Sequence, residues 1–190
     1  MDFSFIVADL ETDGFSPSVI HMIGVQDLMT GDYESFVGLD RVSECVFRMQ
    51  EESKMIVGHS FADFDHRTIK SLAAVDLNKK KIVDTVIMSK ELCNLFNNKL
   101  STWGIILGFP KLPSPRFDKY TLEMDTYCER DVRLNSAMFG ILYRMWMARK
   151  PSFDRNITEI LSKYENEMKK SFVNWGAVDE EVPMLDLQPA

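Results

Sequence analysis

Positive charge is what this chain is short of: aspartate and glutamate outnumber lysine and arginine by 29 to 22, leaving a formal charge of −7 at neutral pH. Proteins that grip a long duplex by its phosphates carry a basic footprint, so this balance counts against that mode of binding. It leaves room for an enzyme whose carboxylates hold metal ions that meet the phosphate themselves. No apolar run approaches a membrane span, and the N-terminus lacks a basic, then apolar, then small-residue leader, so the expectation is a cytoplasmic protein with no membrane partner. Cysteine is scarce and odd in number: Cys45, Cys93 and Cys128 lie in apolar or helical text and read as buried free thiols of a reducing compartment. No Cys/His spacing suggests zinc, and neither internal repeats nor low-complexity tracts occur. What is present, 45% hydrophobic and 27% charged over 190 residues, suits one globular domain with an appendage.

The stretch that organises the rest is Phe3 to Phe15. Phe3, Phe5, Ile6, Val7 and Ala8 predict a buried strand, with Asp9 and Glu11 where it runs out. Side chains two apart in an extended chain share a face, so these carboxylates converge and invite a hard divalent cation. The plainer alternative is a polar turn through Asp9, Thr12, Asp13 and Gly14.

Further along, 19–28 and 32–38 read as two antiparallel strands around Thr30 and Gly31, 41–52 as a helix, and 55–58 as a short buried strand. A second helix near 64–74 leads through Asn78 to Lys81 into a strand at Ile82 and Val83. Strand, helix and strand in that order imply right-handed crossovers, hence a mixed α/β sheet of three antiparallel strands followed by two parallel ones. Helical text follows at 85–95, 101–107 and 120–149, with an exposed proline-rich loop at 108–115. From Asp154 one amphipathic helix with Ile157, Ile160, Leu161, Tyr164 and Met168 on a stripe is expected to run to Gly176, before an acidic tail. Residues 1–150 are thus expected to form one domain and 151–190 a helical extension and tail.

Two more clusters carry chemistry. Gly58 to His66 follows the fourth strand and places Asp65 at the start of the next helix, as a site residue or, with Asp63, as a plain helix cap. His59 and His66 are metal ligands or hydrogen-bonded turn residues. Tyr127 and Asp131 stand one helical turn apart, on a face shared with Leu134, Met138, Ile141 and Met145. A carboxylate on an apolar stripe needs compensation, by a metal ion or by a buried salt bridge to an arginine such as Arg133 or Arg67.

Ala8-Asp9-Leu10-Glu11-Thr12, then Gly58 to Asp65, then Tyr127 and Asp131 match in order and spacing the three motifs of the DEDD (DnaQ-like) 3′–5′ exonuclease superfamily, which the chain resembles over about residues 3 to 148. Tyrosine at the last motif is similar to the branch found in proofreading domains, and 83–89 and 101–108 look like linking text of phage family A DNA polymerases. Ser60 departs from the pattern, which usually has asparagine there.

The resemblance implies an RNase H-like fold and a two-metal-ion exodeoxyribonuclease, with Mg2+ or Mn2+ held by Asp9, Glu11, Asp65 and Asp131 and water oriented by Tyr127. The implied reaction releases mononucleotides from single-stranded or frayed 3′ ends of DNA. Thr12, Ser60, Phe61, Phe64, Lys111 and Arg116 are the implied substrate contacts, with Phe15 and Lys119 as neighbours; each aromatic reads equally as core and each cation as solvated surface. With no polymerase text following, the chain reads as a stand-alone proofreading subunit of a phage-like replication system in a bacterial cytoplasm. Its stripe through Ile157, Leu161 and Tyr164 either docks a separate polymerase or packs on its own domain. The alternatives are an RNA-trimming exoribonuclease and a catalytically silent polymerase-binding scaffold.

Overall fold

The computed structural model describes residues 1–93, 95–149 and 153–174. At its centre is a five-stranded sheet in the order β3-β2-β1-β4-β5. β1 (Phe5–Thr12) is antiparallel to β2 (Ile20–Asp27), and β2 to β3 (Tyr33–Val37). On its other side β1 is parallel to β4 (Met55–Gly58), and β4 to β5 (Ile82–Asp84). The RNase H-like order expected from the sequence is the one the chain forms. α1 (Gly38–Glu51) carries it from β3 to β4, and α2 (Asp65–Leu72) from β4 to β5.

Alternation along β1 splits the apolar core into two layers. Ile6, Ala8 and Leu10 pack with Val42, Val46, Met49 and Ile69 of α1 and α2. Phe5 and Val7 face the other way, toward Cys128, Val132 and Met138 of α5 (Leu122–Arg149) and toward α3 (Thr85–Leu92) and α4 (Leu100–Ile106). Each such side chain contributes about 1.5–3 kcal/mol when fully buried, so a one-residue slip of β1 would exchange both layers and is strongly disfavoured. That register also decides where the acids go, because Asp9 and Glu11 continue the row of Phe5 and Val7 onto the α5 side.

Helix ends differ from expectation for local reasons. α5 starts after Thr121, whose Oγ1 accepts the Met124 N–H at 3.1 Å and caps the helix two residues beyond the expected Tyr120. α3 stops at Leu92, where Cys93 turns extended, and does not reach Leu95.

The larger correction is at the C-terminus. The expected single helix is two, α6 (Arg155–Lys163) and α7 (Glu165–Asn174), broken at Tyr164. Tyr164 leaves helical geometry with its ring edge-on to Phe5, centroids 5.3 Å apart. Ile157, Ile160, Leu161 and Met168 are buried in the α5-side core. The stripe offered as a polymerase dock is therefore spent on the chain's own domain. Gly176 and the acidic tail lie outside the described residues. No helix among the described residues is long and apolar enough to cross a membrane.

Candidate metal centre

β1 outruns its parallel neighbour. Its pairing with β4 ends at Val7 opposite Val57, and past that point the Leu10 N–H, on the open side, donates to Asp65 Oδ1 at 3.2 Å. Asp65 is the first residue of α2, and no side chain caps that helix. The capping alternative is thereby corrected: neither Asp63 nor Asp65 is the cap, and Asp65 reaches back to the first strand.

A tight turn after β4 makes this possible. Ser60 adopts a left-handed conformation with φ of 61°, and a Cβ on Gly58 would collide with the Phe61 ring. Buried Asp84, at the end of β5, holds the turn by accepting the N–H groups of Ser60 at 3.1 Å, Ala62 at 3.3 Å and Val86 at 3.0 Å. Thr85 ties the same corner to α5, donating to Asn135 Oδ1 at 2.7 Å and lying 3.0 Å from His59 Nδ1.

The third motif arrives on α5, which lies close over β1 and β2 because Gly24 has no side chain. A Cβ there would stand 2.7 Å from both Cys128 Sγ and the Tyr33 hydroxyl. Buried Asp131 receives Lys111 Nζ on Oδ2 at 2.6 Å, while its Oδ1 has no hydrogen-bond partner. The same ammonium stands 5.0 Å from the Tyr127 ring centroid. Arg133 pairs instead with Glu129 at 2.8 Å and Arg67 with Asp63 at 3.4 Å, so the arginine salt-bridge alternative is corrected to a lysine from the proline-rich loop.

Charge is badly matched here. Burial pushes Asp9 up to about 7, with the Asp131 charge adding to it. Glu11 goes up to about 9 through burial and the charges of Asp9 and Asp131. Asp65 is raised by burial and by Asp9, and Asp131 is raised by burial against the opposing pull of Lys111. Among the described residues Lys111 bears on three of these carboxylates, Asp9, Glu11 and Asp131, and does not offset the charge of all four. A divalent cation fits this donor set: the ligands are hard oxygens, the charge is unmet, and Asp131 Oδ1 is buried with nothing to accept from. Asp9, Glu11 and Cys128 bring ligand atoms within 4.8 Å of one another.

The other expected contacts divide. Phe64 is half-buried, edge-on to the exposed Phe15 ring at 6.5 Å, and the pair forms an aromatic ledge. Phe61 is fully buried under α2 and cannot stack on a base, which corrects its assignment as a substrate contact. Thr12 is buried with its hydroxyl donated to the Gly14 carbonyl at 2.9 Å, so it shapes the turn. Ser60 is exposed beside the site, and Arg116 is exposed and paired with Asp118 at 3.4 Å. His59 is held by Thr85, and His66 lies 2.9 Å from Asp76, so both histidines hold local structure. Sequence reasoning missed Asp84, Asn135 and Cys128. The available signals were that Asp84 also closes a strand and that Cys128 precedes Asp131 by three residues.

No family model matches the chain, and no curated protein matches it significantly. Solved structures do. One described as the apo form of the nuclease superposes with a TM-score of 0.63 at 16% identity, covering 96% of this chain and 90% of that one. NrnC of Brucella melitensis bound to pGG gives 0.62 at 14%, covering 94% and 89%, and the same protein with bound Mg2+ gives 0.61 at 12% with the same coverage. At such identities the likeness is one of fold.

Proposed function

We propose that the chain is a metal-dependent 3′–5′ exonuclease acting on single-stranded 3′ ends, with Asp9, Glu11, Asp65 and Asp131 as ligands of two Mg2+ or Mn2+ ions. The observation that carries this reading is the crowding of acids from three distant stretches, with Lys111 ion-paired, among the described residues, to Asp131 alone and one buried oxygen of that carboxylate left unpaired. The motif order and the likeness to NrnC solved with Mg2+ support it further.

Bound ions would supply Lewis acidity and lower the pKa of an attacking water. The chain's own residues do the rest. Tyr127 orients the water instead of removing its proton, since burial raises its phenol further even as Lys111 pulls it down. Lys111, 2.6 Å from Asp131, is the side chain that would meet the scissile phosphate if bound ions held that carboxylate. Phe15 and Phe64 stack on the terminal bases.

DNA remains the first-choice substrate from the motif resemblance, with proofreading as the setting. A second reading, trimming of short RNA, is favoured by the likeness to NrnC bound to pGG and by the loss of the α6 stripe as a polymerase dock. The test is degradation of 3′-labelled single-stranded DNA and RNA with Mg2+ or Mn2+. Stepwise shortening from the 3′ end is expected, abolished by Asp9→Ala plus Glu11→Ala; unchanged activity in that double variant would remove the site assignment. The ratio of rates on the two sugars decides between the two readings.

A further inference from the structure

The geometry points to a soft edge on this otherwise hard centre: Cys128 is a ligand for thiophilic divalent cations such as Cd2+, Zn2+ or Co2+, which bind through its sulfur together with Asp9 and Glu11. This rests on the reading of the acids as a cation site. Cys128 is fully buried on α5, one turn before Asp131 and on the same side. Its Sγ lies 3.8 Å from the Asp9 carbonyl oxygen, and the bare backbone of Gly24 leaves the space it fills. With the carboxylates of Asp9 and Glu11 it makes a three-membered group of ligand atoms, all within 4.8 Å of one another. Beside this group the buried Asp131 leaves its Oδ1 without a partner, and its charge bears on both Asp9 and Glu11, so a cation there answers charge that the fold leaves unmet.

The other described thiols differ. Cys45 sits among Val42, Val46 and Met49, and Cys93 Sγ meets Met145 Sδ at 3.8 Å; both serve as small apolar side chains. Mg2+ prefers oxygen and would use the carboxylates alone, whereas a thiophilic ion gains a sulfur bond at the same place. In that step the thiol proton leaves to solvent and the sulfur electron pair is donated to the cation. Such an ion competes with Mg2+ for Asp9 and Glu11, so the nuclease is blocked by low zinc or cadmium and recovered by a chelator.

The full-length, metal-free, reduced protein is titrated with Co2+ under anaerobic conditions. A near-ultraviolet thiolate-to-cobalt charge-transfer band is expected in the wild type and its loss in Cys128→Ser and Cys128→Ala, which retain Cys45 and Cys93. By calorimetry, Cd2+ affinity is expected to fall by about tenfold or more in both variants while Mg2+ affinity stays within about threefold. Co2+ binding without the band, or a band that persists in both variants, overturns the proposal and leaves the carboxylate centre standing. A wild type that binds no divalent ion overturns the centre as well.

Discussion

Two sets of carboxylates, wholly or partly buried, close neighbouring regions of the sheet, and they live in opposite circumstances. Asp84, at the end of β5, accepts three backbone N–H groups; burial raises its pKa, but those donors hold the rise back. Asp9 and Glu11, at the end of β1, are crowded by Asp131 and Asp65, and the nearest cation, Lys111, is engaged with Asp131. Both sets are equally legible as strand-end acids. What separates a structural carboxylate from a functional one is whether the fold satisfies it. A buried acid whose bonds are complete stabilises the turn it holds; one left in excess costs stability until something from outside arrives.

Removing each set is the sharpest test of that contrast. Asp9→Ala plus Glu11→Ala is expected to lower hydrolysis by about a thousandfold or more, over ~4 kcal/mol of transition-state stabilisation, while the metal-free protein at neutral pH melts no lower than wild type. Asp84→Ala is expected to act in reverse. Three backbone N–H groups lose their acceptor at once, and urea unfolding should show a loss of about 3 kcal/mol, with activity falling only as far as the turn carrying Asp65 loosens. Equal destabilisation by the two changes would erase the distinction.

Where sequence reasoning succeeded, the physics was local or periodic. The unbroken apolar run from Phe5 to Ala8 marked β1 as a buried strand, and the spacing of four put Tyr127 beside Asp131. It fell short where three-dimensional proximity decides. Nothing in the text of the proline-rich loop says that Lys111 returns to Asp131, and the stripe of Ile157 and Leu161 is equally apolar whether it covers its own sheet or another chain's surface. Phe61 and Phe64 are three residues apart in one motif, yet one is core and the other a surface ledge, because the left-handed Ser60 turns the chain between β4 and α2.

The contrast also has a pH signature. In the unfolded chain Asp9 and Glu11 ionise near 3.8 and 4.5, whereas in the folded, metal-free protein they hold their protons to about 7 and about 9. Below the lower values both states are protonated and the stability is fully present. As pH rises through the window the unfolded state gives up protons that the folded state keeps, so stability is lost. Denaturation measured from about pH 4 to about pH 9 should show this decline, and Mg2+ should flatten it by lowering the folded-state values. A metal-free protein whose stability rises across that window would contradict the assignment of excess charge to the β1 acids.

The smallest expected effect probes the cation that pairs directly with the third motif's acid. Lys111 pairs with Asp131 at 2.6 Å, and burial disfavours its charge while Asp131 outweighs that and raises its pKa. If it is a resident counter-ion that yields to metal, Lys111→Met removes a competitor and Mg2+ should bind a few-fold more tightly by calorimetry. The same change should slow turnover about tenfold, the worth of one charge-assisted hydrogen bond to the phosphate. Tighter metal with slower turnover separates the two duties of the side chain. Weaker Mg2+ binding would mean that Lys111 organises Asp131 for the ion instead of standing in for it, and the acids of β1 would then be less alone than their contrast with Asp84 implies.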